Sequence, residues 1–86
     1  MKVRLPSPLD SYTGGLRTID LKGESLGAVL DALDGRFPGV KFRIVDERGC
    51  LRRHINLFVN EDLVTDLARR LAPSDEVMIV AALSGG

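Results

Sequence analysis

Glu76-Val77-Met78-Ile79-Val80-Ala81-Ala82-Leu83-Ser84-Gly85-Gly86 closes the chain. The apolar, β-branched run at its start predicts a strand. A closing strand is tied into a sheet, whereas the residues after it have little to hold them. The reading is therefore a rigid strand that feeds a flexible tail over 83–86. Four extended residues reach at most roughly 13 Å. The group at the tip is the α-carboxyl of Gly86, preceded by Ser84 and Gly85. Glycine has no Cβ, so such a tip enters slots closed to other residues. A carboxylate is ionised at neutral pH and is a poor electrophile. To react, it must first be converted to an activated ester such as an acyl-adenylate. The chain has no phosphate-binding loop for that step, so ATP chemistry falls to a partner.

Working outward, the final strand needs a neighbour. Lys2-Val3-Arg4-Leu5 alternates polar and apolar residues and predicts a half-buried strand. Pro6-Ser7-Pro8 ends it, Tyr12-Thr13-Gly14-Gly15 reads as a turn, and a second strand carries Ile19 and Leu21 on one face. The two strands form a hairpin with a connection of about ten residues, long for its kind. Ser25 is an N-cap, and Leu26, Val29, Leu30, Leu33 and Phe37 recur at helical spacing up to Gly35 and Pro38-Gly39. Lys41-Phe42-Arg43-Ile44-Val45 alternates again, and Asp46-Glu47-Arg48-Gly49 turns. A strand resumes from Leu51 through Arg53–Val59, with Ile55, Leu57 and Val59 sharing one face. Asn60-Glu61-Asp62 turns, Leu63–Leu71 reads as a short helical or 3₁₀ piece, and Pro73-Ser74-Asp75 stops it. Strands mixed with one main helix predict an α+β fold with the helix on one sheet face. The first and last strands pair in parallel, with the helix inside the crossover.

Composition narrows the function. The 86 residues suit one domain, 1–86, with one core. Twelve basic and twelve acidic residues give no basic surplus, so no nucleic-acid partner is expected. No apolar stretch spans a bilayer, and Met1-Lys2 leads into an alternating segment instead of a signal peptide. One cysteine, Cys50, makes no internal disulfide and suits the cytoplasm. One cysteine and one histidine, His54, do not build a metal site. Cys50 lies among Arg48, Arg52 and Arg53, cations that favour a thiolate, but it has no resolving partner. Arg52-Arg53 and Arg69-Arg70 read as solvated faces that steer an acidic partner at most.

Alternation also assigns the other sheet face. With Val77 and Ile79 inward, Met78 and Val80 turn outward, as does Phe58 between Leu57 and Val59. With Leu63 after the turn, Phe58, Leu63, Met78 and Val80 predict an apolar patch beside the tail's root, either the kind of surface that partners use or one that a loop or the long first connection covers.

The order of these segments resembles the β-grasp, or ubiquitin-like, fold along the whole chain. More closely it resembles the prokaryotic sulfur carriers: the small subunit of molybdopterin synthase, the thiamine-pathway carrier and the carrier of an alternative cysteine route. Phe58-Val59-Asn60, Glu61-Asp62, Ser74-Asp75-Glu76-Val77 and the terminal Gly85-Gly86 carry the likeness. Thr13-Gly14-Gly15 and Ser25-Leu26-Gly27-Ala28-Val29 look most like the cysteine-route carrier. The chain departs from the pattern at Ala81-Ala82, where a proline is common, and at Glu61 and Ser74, where glycine is common. The resemblance implies a carrier that is not itself an enzyme and binds no cofactor. An adenylating enzyme activates Gly86 with ATP and magnesium, a sulfur donor protein leaves a thiocarboxylate there, and a sulfur-accepting synthase uses it. The alternative is a ubiquitin-like modifier joined through Gly86 to lysines.

Overall fold

The computed structural model describes residues 1–81. The expected flexible tail over 83–86, with Ser84, Gly85 and Gly86, lies outside the described residues.

Strand β1 (Lys2–Arg4) is followed by a 3₁₀ turn at Ser7–Leu9, helix α1 (Asp10–Thr13) and strand β2 (Thr18–Asp20). Helix α2 (Leu26–Arg36), helix α3 (Val40–Ile44), and strands β3 (Ile55–Val59), β4 (Asp62–Val64) and β5 (Glu76–Ala81) complete the order. The five strands form one sheet in the order β2-β1-β5-β3-β4. β1 and β2 are antiparallel, and β1 and β5 are parallel with Val3 beside Val77. The expected hairpin and the expected parallel neighbour for the last strand are both present. The sheet and its crossover helix make a β-grasp fold.

The core lies between the sheet and the helices. Val3, Leu57, Val59 and Val77 come from the strands and Leu26, Val29, Leu30 and Leu33 from α2, all of them fully buried. Ser25 caps α2 as expected, its hydroxyl accepting from the Ala28 N–H at 3.2 Å. Two more donors of the first turn are met from across the chain. Leu26 N–H donates to the Arg69 carbonyl and Gly27 N–H to that of Leu67. This explains the glycine in Ser25-Leu26-Gly27: a Cβ there would stand 3.3 Å from the Leu67 oxygen.

Four expectations are corrected. Lys41–Val45 is not a strand; Val40–Ile44 is helix α3. Gly39 takes the left-handed conformation (φ 96°), and Asp34 Oδ1 accepts from both the Gly39 and Lys41 N–H groups, which starts a new helical turn. Val40 and Ile44, one helical turn apart, are both buried, while Phe42 is 54% exposed. Leu63–Leu71 is not helical either. Asp62–Val64 pairs with β3 as strand β4, and the rest is a strap whose carbonyls serve the start of α2. Those unmet helix donors outweigh the local helix propensity of Leu67–Leu71. The strand expected from Leu51 starts at Ile55, with Arg53 and His54 in a turn. Gly35 does not stop α2, which continues to Arg36.

Candidate functional site

The sheet face turned away from the helices is ordered by register. Phe58 stands opposite Leu63 on one side and Met78 on the other, and Met78 stands opposite Arg4. Val80 pairs with Asn56 one step nearer the end of β5. Phe58, Leu63, Met78 and Val80 are thus brought together on one face, as alternation required. Leu63 is 60% exposed, whereas Phe58, Met78 and Val80 are half-buried. Beside Val80 and Ala81 runs an open groove of about 360 Å³, walled by Arg4, Pro6, Pro8 and Arg17. The groove lies where β5 hands over to the terminal segment. The first connection, read from sequence as a plain turn, shapes it because Leu9 is anchored in the core.

The start of β5 is locked by two neighbours. Asn60 takes a left-handed backbone (φ 56°), a conformation that asparagine tolerates better than most residues. Its side-chain carbonyl accepts from the Glu76 N–H at 3.0 Å, its amide donates to Asp75 Oδ1 at 3.1 Å, and its own N–H donates to the Glu76 carbonyl at 2.7 Å. The Phe58-Val59-Asn60 motif therefore joins an outward aromatic to the latch that sets β5 in register. Asp75 Oδ2 accepts from the Ala72 N–H at 2.8 Å. That bond, with the Asn60 amide second, holds the Asp75 carboxyl below its ordinary value of 3.8. The Arg4 guanidinium, bonded to Glu76, likewise holds Glu76 below 4.5.

A depressed carboxyl stabilises the fold above its unfolded pKa and loses that contribution as pH falls through the folded value. Stability is accordingly expected to be full near neutrality and to decline below about pH 4. Asp75→Asn should flatten this acid limb in urea unfolding at a series of pH values. An unaltered limb would place the acid sensitivity elsewhere.

The rival candidates gain nothing from the fold. Cys50 is exposed after a turn that Asp46 holds by accepting from the Arg48 and Cys50 N–H groups. Among the described residues no group of three or more metal-ligating side chains converges. No helix of the described residues is long and apolar enough to cross a membrane. A cleft of about 690 Å³, lined by Met1, Lys22, Glu24, Arg70 and Leu71, lies at the opposite end of β5 from the terminal segment.

Known proteins match this geometry. The sequence pattern of the ThiS family matches residues 3–86. The chain belongs to the ThiS family. Sulfur carrier protein CysO of Mycobacterium tuberculosis is 35% identical to it, over 98% of this chain and 96% of that protein. A chain in the crystal structure of the Amycolatopsis orientalis BexX/CysO complex superposes with a TM-score of 0.89 at 32% identity, over 99% of this chain and 98% of that one. SAMP1 of Haloferax volcanii superposes with a TM-score of 0.80 at 32% identity, over 100% of this chain and 98% of that one. For a ThiS-family chain, the residues missed in the sequence are Arg4 and Arg17, which wall the groove, and the side-chain role of Asn60. Asn60 stood inside a recognised motif, but its bonding partners lie 15 and 16 positions away.

Proposed function

We propose that this ThiS-family chain is a sulfur carrier, acted on by enzymes and not itself a catalyst. The observation that carries the reading is the continuity of the apolar outer face with β5, in a chain whose family match runs through Gly85-Gly86. An adenylating enzyme seats on Phe58, Leu63, Met78 and Val80 and takes the tail. There the Gly86 carboxylate attacks the α-phosphorus of magnesium-bound ATP, giving the acyl-adenylate and releasing pyrophosphate. Hydrosulfide then displaces AMP to give the thiocarboxylate directly. The alternative is a donor protein's persulfide, which displaces AMP to give an acyl disulfide. A second thiol cleaves that disulfide, leaving the donor sulfur in a new disulfide and releasing the thiocarboxylate. That nucleophile passes its sulfur to a substrate in a synthase, with cysteine formation favoured by the likeness to CysO. These partners place the chain in the cytoplasm. Ser84 and Gly85 serve as the slim spacer that admits the tip to both enzymes.

The likeness to SAMP1, a small archaeal modifier protein, supports a second reading, conjugation through Gly86 to lysines. Intact-mass spectrometry of the protein from its own cells separates the two. Sulfur in place of one terminal oxygen supports the carrier; adducts with other proteins and no sulfur-bearing species would replace it with the modifier.

The docking face has its own test. Leu63 is largely exposed, so Leu63→Asp is expected to cost the free chain no more than about 0.5 kcal/mol. In the bound state it would bury an unpaired charge, which is strongly unfavourable. Calorimetry should show the adenylating enzyme binding it much more weakly while circular dichroism is unaltered. Equal affinity would remove the outer face from recognition. Val80→Asp should weaken binding too, but Val80 is half-buried, so part of that change would be paid in stability.

A further inference from the structure

The charge of this chain is balanced in total but not in distribution. Residues 36–54 hold Arg36, Lys41, Arg43, Arg48, Arg52 and Arg53, half of the twelve basic residues. The same stretch holds two of the twelve acidic residues, Asp46 and Glu47. Lys41 is paired with Asp31 and Arg48 with Asp46. Among the described residues, Arg36, Arg43, Arg52 and Arg53 have no ion-pair partner. The Asp34 carboxylate is occupied by the backbone N–H groups of Gly39 and Lys41.

The fold sets two of these arginines over aromatic rings. Phe42 projects from α3 and is 54% exposed. The Arg52 guanidinium lies 4.6 Å from the centre of its ring, and Arg52 Nε donates to the Phe42 carbonyl at 2.7 Å. Arg43, next on α3, stands over the Tyr12 ring at 6.0 Å. The exposed Phe42 ring under the half-buried Arg52, with the exposed Arg43 and Arg53 their chain neighbours, has the composition of a partner-binding surface. Its position matters as well. Arg52 N–H donates to the Ile44 carbonyl and Ile55 N–H to that of Arg52, which ties this face to the start of β3. Ile55 is the register partner of Ala81. The segment that carries the Phe42–Arg52 pair is thus tied through its backbone to the strand pair that ends at Ala81.

We propose that Phe42, Arg43, Arg52 and Arg53 dock an acidic surface of the adenylating enzyme, an apolar side chain meeting Phe42 and carboxylates meeting the guanidiniums. This rests on the carrier reading and adds a second contact to the outer face. This second contact steers the carrier onto the enzyme, so it acts on capture and not on the chemical step. A nucleic acid fits less well. One ring already covered by its own arginine is no base-stacking platform, and ten of the twelve acidic residues lie outside this stretch, where they repel a long polyanion.

The test is ATP–pyrophosphate exchange by the adenylating enzyme as a function of carrier concentration. Arg43→Glu with Arg53→Glu should raise KM about tenfold or more at low salt with kcat unchanged, because steering acts on association. The difference should shrink at about 0.5 M salt, where screening is short-ranged. Arg43→Gln with Arg53→Gln, which adds no repulsion, should fall between the two. Exchange with unaltered KM and salt dependence in a folded double variant overturns this proposal and leaves the carrier reading standing. No exchange with the wild-type chain overturns both. Tight binding of a single-stranded RNA oligonucleotide, with KM unaltered in the variants, would give the face to nucleic acid instead.

Discussion

Removing Gly86 is expected to abolish adenylation while leaving the melting temperature where it was. On the proposed carrier reading the reacting group is the terminal carboxylate, and its reach is set by the length of the chain after β5, which ends at Ala81. Shortening the tail by one residue withdraws that carboxylate by roughly 3.5 Å. Misplacement of about 1 Å already costs on the order of 10²-fold in rate when in-line attack is required. Exchange should therefore fall below detection. Gly86 has no side chain, so its loss removes no buried apolar surface from the core. The measurement pairs ATP–pyrophosphate exchange with a thermal melt. Wild-type exchange by the shortened chain would contradict activation at Gly86, and a large drop in melting temperature would assign the terminus a structural role.

Leu33→Ala is expected to cost about 2–5 kcal/mol without touching the terminal chemistry. Leu33 is fully buried in the inward stripe of α2 with Leu26, Val29 and Leu30. Truncation removes its transfer free energy and leaves a cavity that a close-packed interior only partly closes. Domains of this size hold only about 5–15 kcal/mol in total. At about 4–8 °C per kcal/mol, the melting temperature should fall by more than about 8 °C. Urea unfolding gives the free energy directly. A cost within about 0.5 kcal/mol, as for a surface substitution, would be incompatible with this packing.

Where local chemistry suffices, the sequence alone determined the outcome. Ser25 and the stripe from Leu26 to Leu33 define the capped helix, because capping and a 3.6-residue period need no distant partner. Alternation in Ile55–Val59 and Glu76–Val80 separates core from outer face, so Phe58, Met78 and Val80 were readable as a set. The family likeness, carried in part by the Gly85-Gly86 end, was readable as well.

Tertiary structure decided what depends on partners far along the chain. Lys41–Val45 alternates like a strand, but the Asp34 carboxylate and the left-handed Gly39 wind it into α3 and turn Phe42 outward. Leu67–Leu71 has the composition of a helix, but its carbonyls are taken by the open donors of α2. The row from Arg4 through Met78 and Phe58 to Leu63 exists only because three separate pairings share one register. Arg52 looks like scattered surface charge until its backbone joins the end of α3 to the start of β3 and its guanidinium settles over Phe42. Local pattern reports which side of an element is apolar. Which elements meet is decided by backbone groups and side chains that find their partners only once the chain has closed on itself.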